Sequence, residues 1–146
     1  MNKKTLIVIG STVSILIILI VLFLYFSIKN SKGCDQLVID TNEYASGIDI
    51  PKQKNSLCYY DEDEQIRIGI YTVVNSSNFI NKNGLKKVDS YETILLWSTD
   101  FLVEKGAEIP LTTENIFRLA GKNKNNKWQC LVDKNTGKMW FEIKWN

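Results

Sequence analysis

The 146-residue chain contains no histidine. This excludes Ser-His and Cys-His nucleophilic pairs and every imidazole metal ligand. No acidic residue precedes Asp35, and no charged residue stands between Lys4 and Lys29. The basic excess that marks a nucleic-acid-binding face is also missing. The chain has 18 basic and 16 acidic residues; without Lys3, Lys4, Lys29 and Lys32, 14 basic residues face 16 acidic ones. The part after residue 34 is therefore slightly acidic. Its length of about 110 residues suits one domain with its own core. No nucleic-acid partner, metal or cofactor is expected, and the chain does not read as an enzyme.

The uncharged stretch Thr5–Ile28, TLIVIGSTVSILIILIVLFLYFSI, is 24 residues long. As a helix rising ~1.5 Å per residue it covers roughly 36 Å, enough for a hydrocarbon core of ~30 Å. A cleaved signal peptide has a shorter apolar region and small residues at the cutting site. Here the flank reads KNSKGC, with Lys29 and Lys32 in the way. Gly33 before Cys34 resembles a bacterial lipobox, but Ser31 stands where that motif has an apolar residue. A prepilin-like leader cut after Gly10 is also disfavoured, because Ile15 occupies the position of that family's glutamate. Residues 1–30 are thus expected to be a transmembrane signal anchor contacting the bilayer through Thr5–Ile28. Lys3 and Lys4 nearly balance Lys29 and Lys32, so the positive-inside rule orients the anchor weakly. The short N-tail and the cysteines favour an extracytoplasmic C-terminal domain, periplasmic or at the cell surface.

Residues 31–56 read as a juxtamembrane segment. DQLVID suggests a short strand, and Gly47 and Pro51 punctuate a loop with at most a helical turn. Residues 57–146 form the expected domain. Leu57–Tyr60 and Gln65–Val74 predict a β-hairpin, since Ile66, Ile68 and Ile70 alternate with Arg67, Gly69 and Tyr71. Ser76 or Ser77 caps a short helix that Gly84 ends. Asp89–Glu104 admits a helix capped by Asp89 and Glu92, or a buried strand over TILLW, with the helix preferred. IPLTTENIFRLAGKN predicts a firmer helix, with Thr112 as cap, Leu111 and Ile116 as staple and Gly121 as stop. A second hairpin closes the chain: Trp128, Cys130 and Val132 alternate, as do Met139, Phe141, Ile143 and Trp145, around the turn DKNTGK. That turn, with Trp140 after it, resembles one unit of the quinoprotein-type propeller repeat. A propeller needs several units, and the chain has one. The expected fold class is therefore α+β: a transmembrane helix, then two antiparallel hairpins with two or three helices.

Three cysteines, Cys34, Cys58 and Cys130, allow one disulfide and leave one thiol. Cys34–Cys58 is preferred slightly over Cys58–Cys130. The acidic run Asp61, Glu62, Asp63 and Glu64 lacks the glycine of an EF-hand-like loop, Ile66 standing in its place, and reads as a solvated hairpin tip or a contact for a basic partner. Lys122, Lys124 and Lys127 form a polar loop suited to solvent, anionic lipid or an acidic partner. Trp140 alternates away from Phe141 and Ile143, so it is either an exposed binding anchor or covered by a helix on a second face. These features point to a membrane-anchored protein-binding or structural module with a protein partner. An immunity-type inhibitor of an extracytoplasmic toxin is one version. A hydrolase working with Asp61, Glu64 or Glu92 is the alternative from another class.

Overall fold

A computed structural model describes residues 14–22, 34, 36–51 and 56–145. The chain divides into two compact units, Met1–Lys32 and Gly33–Asn146. In the first, residues 14–22 are helical (α1), and Ile15 to Leu22 are all exposed. No helix among the described residues is long and apolar enough to cross a membrane. The rest of the expected Thr5–Ile28 span lies outside the described residues.

The second unit is α+β and is built on a six-stranded sheet in the order β1-β2-β6-β5-β4-β3. The strands are β1 (Leu57–Asp61), β2 (Ile66–Thr72), β3 (Lys86–Lys87), β4 (Ile116–Lys122), β5 (Asn126–Asp133) and β6 (Lys138–Trp145). Every pairing is antiparallel. Both expected hairpins are present. In the first turn the Asp61 carboxylate accepts the N–H groups of Asp63 and Glu64, each at 3.2 Å. In the second, Gly137 has φ 71°, and a Cβ there would lie 2.3 Å from the carbonyl oxygen of Val73. Only glycine admits that approach, and it lets Val73 N–H donate to the Gly137 carbonyl at 2.7 Å.

Three local expectations fail. Ile116–Lys122 is a strand, not part of a helix. IFRLAGK also alternates, and seven cross-strand pairs with β5 outweigh the local capping pattern. Gly121 is not a helix stop. It lies opposite Trp128, and a Cβ would meet that indole at 2.5 Å. Residues 36–46, expected as strand and loop, form helix α2 (Gln36–Ser46), which closes where Gly47 (φ 73°) donates to the Glu43 carbonyl. Asp89–Glu104 breaks into a 3-10 turn at Tyr91–Ile94 and a short helix α4 (Thr99–Glu104), with an extended stretch between. Helix α3 (Ser76–Asn83) is as expected except that Asn75 caps it, its side chain accepting from Asn78 N–H; Gly84 ends it in the left-handed region.

Both faces of the sheet are covered. On one, Tyr71, Cys130, Val132, Met139, Phe141 and Ile143 pack against Ile39 of α2, Ile48, Ile50, and Phe79 and Ile80 of α3. Residues 31–56 therefore contribute core side chains and are more than a juxtamembrane loop. On the other face, Ile66, Ile68, Ile70, Leu131 and Trp140 pack under Val88, Ile94, Leu96 and Leu102. Trp140 is only 2% exposed and donates its indole N–H to the Glu108 carbonyl at 2.7 Å. It belongs to the second core and is not an exposed anchor. Each buried Ile, Leu or Phe contributes about 1.5–3 kcal/mol, so Ile94, Leu96 and Leu102 make the segment 88–109 part of the stabilising core.

A disulfide joins Cys34 to Cys58, 24 positions apart, linking the chain just before α2 to edge strand β1. A loop of that length is worth ~3 kcal/mol in the chain-entropy model. Cys130 is a free thiol, fully buried, and burial raises its pKa well above the usual thiol range.

Candidate binding groove at the edge of the sheet

Glu142 lies in the middle of β6 with no exposed surface. A carboxylate there needs partners, because burying an unpaired charge is costly. One oxygen accepts Trp97 N–H at 2.9 Å and the Gln129 side-chain amide at 2.8 Å. The other accepts Ser98 N–H at 3.1 Å and the Ser98 hydroxyl. These bonds explain why the chain leaves helical geometry before α4: the N–H groups of Trp97 and Ser98 turn inward to the acid. Gln129 sits opposite Glu142 in the β5–β6 ladder and also donates to the Leu95 carbonyl at 3.3 Å. Its oxygen accepts from Arg118 Nε and Nη2 at 3.2 and 3.0 Å. A chain of polar contacts thus runs from the centre of the sheet outward to Arg118 on β4.

Arg118 opens onto a groove of about 420 Å³ between the β3–Thr93 segment and β4, lined by Lys86, Lys87, Val88, Asp89, Ser90, Thr93, Leu119 and Ala120. The groove exists because β3 is only two residues long. It pairs with β4 at Lys86–Arg118 and Lys87–Phe117, and Val88 N–H donates to the Ile116 carbonyl at 3.0 Å. The chain before Lys86 swings away at Gly84 (φ 69°). Hydrogen-bonded pairs alternate along an antiparallel ladder. The pattern at Ile116 and Arg118 therefore turns the N–H and C=O of Ala120 and Lys122 toward the edge. No bond to those groups is found among the described residues. Lys86 and Lys87 are exposed, and no carboxylate lies within ion-pair distance of Lys86, Lys87 or Arg118 among the described residues. Asp89 is the one acid in the lining.

The residues singled out from sequence lie elsewhere. The acidic run occupies the β1–β2 turn. Asp61 is buried (7% exposed) and is occupied in holding its own turn. Glu64 bonds to Lys144, whose ammonium lowers the pKa of its carboxyl. Glu62 and Asp63 are exposed, and Glu92 lies in the 3-10 turn. No group of three or more acidic or cysteine side chains suited to a metal occurs among the described residues. Lys127 turns to the ring of Trp97 at 4.8 Å, leaving Lys122 and Lys124 of the polar loop in solvent. Sequence reasoning missed Glu142, Gln129 and Arg118. The available signal was a lone glutamate inside the otherwise apolar run Met139–Ile143 of β6.

No family model, no curated protein and no solved structure matches this chain.

Proposed function

We propose that this chain is a single-pass, membrane-anchored, extracytoplasmic protein-binding module that engages its partner at the groove beside β4. The observation that carries this reading is the half-paired edge, where Ala120 lines a cationic groove and the outward-turned backbone groups of Lys122 continue the same edge. Such an edge is a ready template for another chain. The anchor is supported by the uncharged stretch Thr5–Ile28 and by the exposed apolar surface of Ile15 to Leu22. The Cys34–Cys58 disulfide suits an oxidising compartment. Two of the carboxylates named for a hydrolase are engaged in structure, Asp61 in its turn and Glu64 with Lys144, and Glu92 stands exposed on the 3-10 turn.

A photoreactive amino acid placed at Ala120 of the full-length chain, in its own membranes, tests this. We expect one discrete cross-link to another protein from position 120 and none from Val103, which is 58% exposed on α4. Equal labelling from both positions, or none from 120, would reject the groove as the binding surface.

A further inference from the structure

We infer that the open edge of β4 takes up an extended acidic segment of the partner protein as an added strand. This inference rests on the binding-module reading and specifies its occupant. The first argument is backbone geometry. Ala120 and Lys122 point their N–H and C=O groups outward, and β3 starts only at Lys86, so no described strand pairs with them along that line. An extended backbone laid along that line would satisfy those groups in the pattern that β3 uses at Arg118. Ala120 is exposed and adds no bulk to obstruct it.

The second argument is charge. Lys86, Lys87 and Arg118 line the groove against a single acid, Asp89, and Lys122 is exposed at the end of β4. Arg118 is held in place by its two bonds to Gln129, so less ordering remains to be done on binding. Lysines on an open edge repel basic strands and other copies of the same edge. The same lysines attract an acidic strand, which makes the edge selective as well as protected.

The test uses the full-length chain in nanodiscs and a fluorescent heptapeptide of alternating glutamate and valine. We expect saturable binding that weakens with salt, and no binding of the lysine–valine counterpart. Methylating the alternate amide nitrogens of the peptide should weaken binding roughly tenfold or more, because strand addition needs them. Ala120→Pro removes an outward N–H while leaving the Leu119 and Gly121 bonds to β5, so it should fold and bind roughly tenfold or more weakly. Lys86→Glu with Lys87→Glu should lose the acidic peptide and gain the basic one.

Equal binding by Ala120→Pro or by the methylated peptide would show a mere electrostatic patch and overturn the inference. So would an absence of peptide binding at low salt, which would leave the lysines only protective. Displacement of the peptide by soluble glycerophosphoglycerol at lower concentration than by free glutamate would point to a lipid headgroup instead, and also overturns it. A cross-link at Ala120 without peptide binding would keep the binding module and reject this occupant. Peptide binding without a cross-link would reject the module reading.

Discussion

Gln129 and Glu142 face each other across β5 and β6, the amide nitrogen of one 2.8 Å from a carboxylate oxygen of the other. Both are buried, at 1% and 0% exposure. The pair couples the centre of the sheet to residues 95–98 on one side and to Arg118 at the groove on the other. It is the polar device that seats the irregular layer over the second core.

Replacing Glu142 with Leu should therefore unseat that layer. Trp97 N–H, Ser98 N–H, the Ser98 hydroxyl and the Gln129 amide would all lose an acceptor. With each unmet buried donor costing about 1–3 kcal/mol, the loss should be about 3 kcal/mol or more. Glu142→Gln keeps the shape but sets an NH₂ against N–H donors, so an intermediate loss is expected. Urea unfolding measures both. A Leu variant as stable as the parent would show that the network contributes nothing to seating the layer.

Gly121 marks a second tight contact. Trp128 lies across it and stacks on Phe141 with ring centroids 6.2 Å apart. Gly121→Ala forces the indole to move, and overpacking of this kind costs about 1–3 kcal/mol. A shift in tryptophan fluorescence should accompany the lower melting temperature. Unchanged emission and stability together would mean that the indole has room to give.

The three cysteines should respond differently to thiol reagents. In intact cells without reductant, none should label: Cys34 and Cys58 are joined and Cys130 is buried with a raised pKa. Reductant should expose two thiols, and reductant with denaturant all three. Labelling of all three only after lysis, with no reductant needed, would contradict both the disulfide and the extracytoplasmic placement.

Stability should fall at high pH through Tyr71. Its hydroxyl accepts from the Asn42 amide at 2.9 Å, and burial raises its pKa from 10.0 to about 12. The folded state holds the phenol proton where the unfolded chain has begun to lose it. The contribution is thus fully present below pH 10 and disappears as pH climbs to about 12, a loss of roughly 2–3 kcal/mol. Tyr71→Phe should flatten this part of the pH–stability curve. A decline of equal depth in that variant would assign the effect to other groups.

Local patterns made both hairpins legible. Alternation grouped Ile66, Ile68 and Ile70 on one face of their strand and Phe141 and Ile143 on one face of theirs, the pairing of β2 with β6 set these on opposite faces of the sheet, and turn chemistry placed Asp61 and Gly137. The short helix between Asn75 and Gly84 could be read in the same way, because caps act within a few residues. Cys34–Cys58 was among the pairings that the sequence allowed, and the structure forms it.

What only the tertiary structure decided concerns groups far apart in the chain. Ile116–Lys122 carries helix-like caps, yet β5 recruits it as a strand because paired backbone and the Trp128–Gly121 contact outweigh weak local preference. Alternation left Trp140 as either an exposed anchor or a covered residue, and packing with residues 88–109 decided for the second. The groove has no sequence signature of its own. It follows from where β3 stops, and its Arg118 is set by a glutamine and a buried glutamate on two other strands. Composition and periodicity determined the uncharged N-terminal stretch and the strands of the two hairpins, because those depend on neighbours in sequence. The open edge and its charge were decided by neighbours in space.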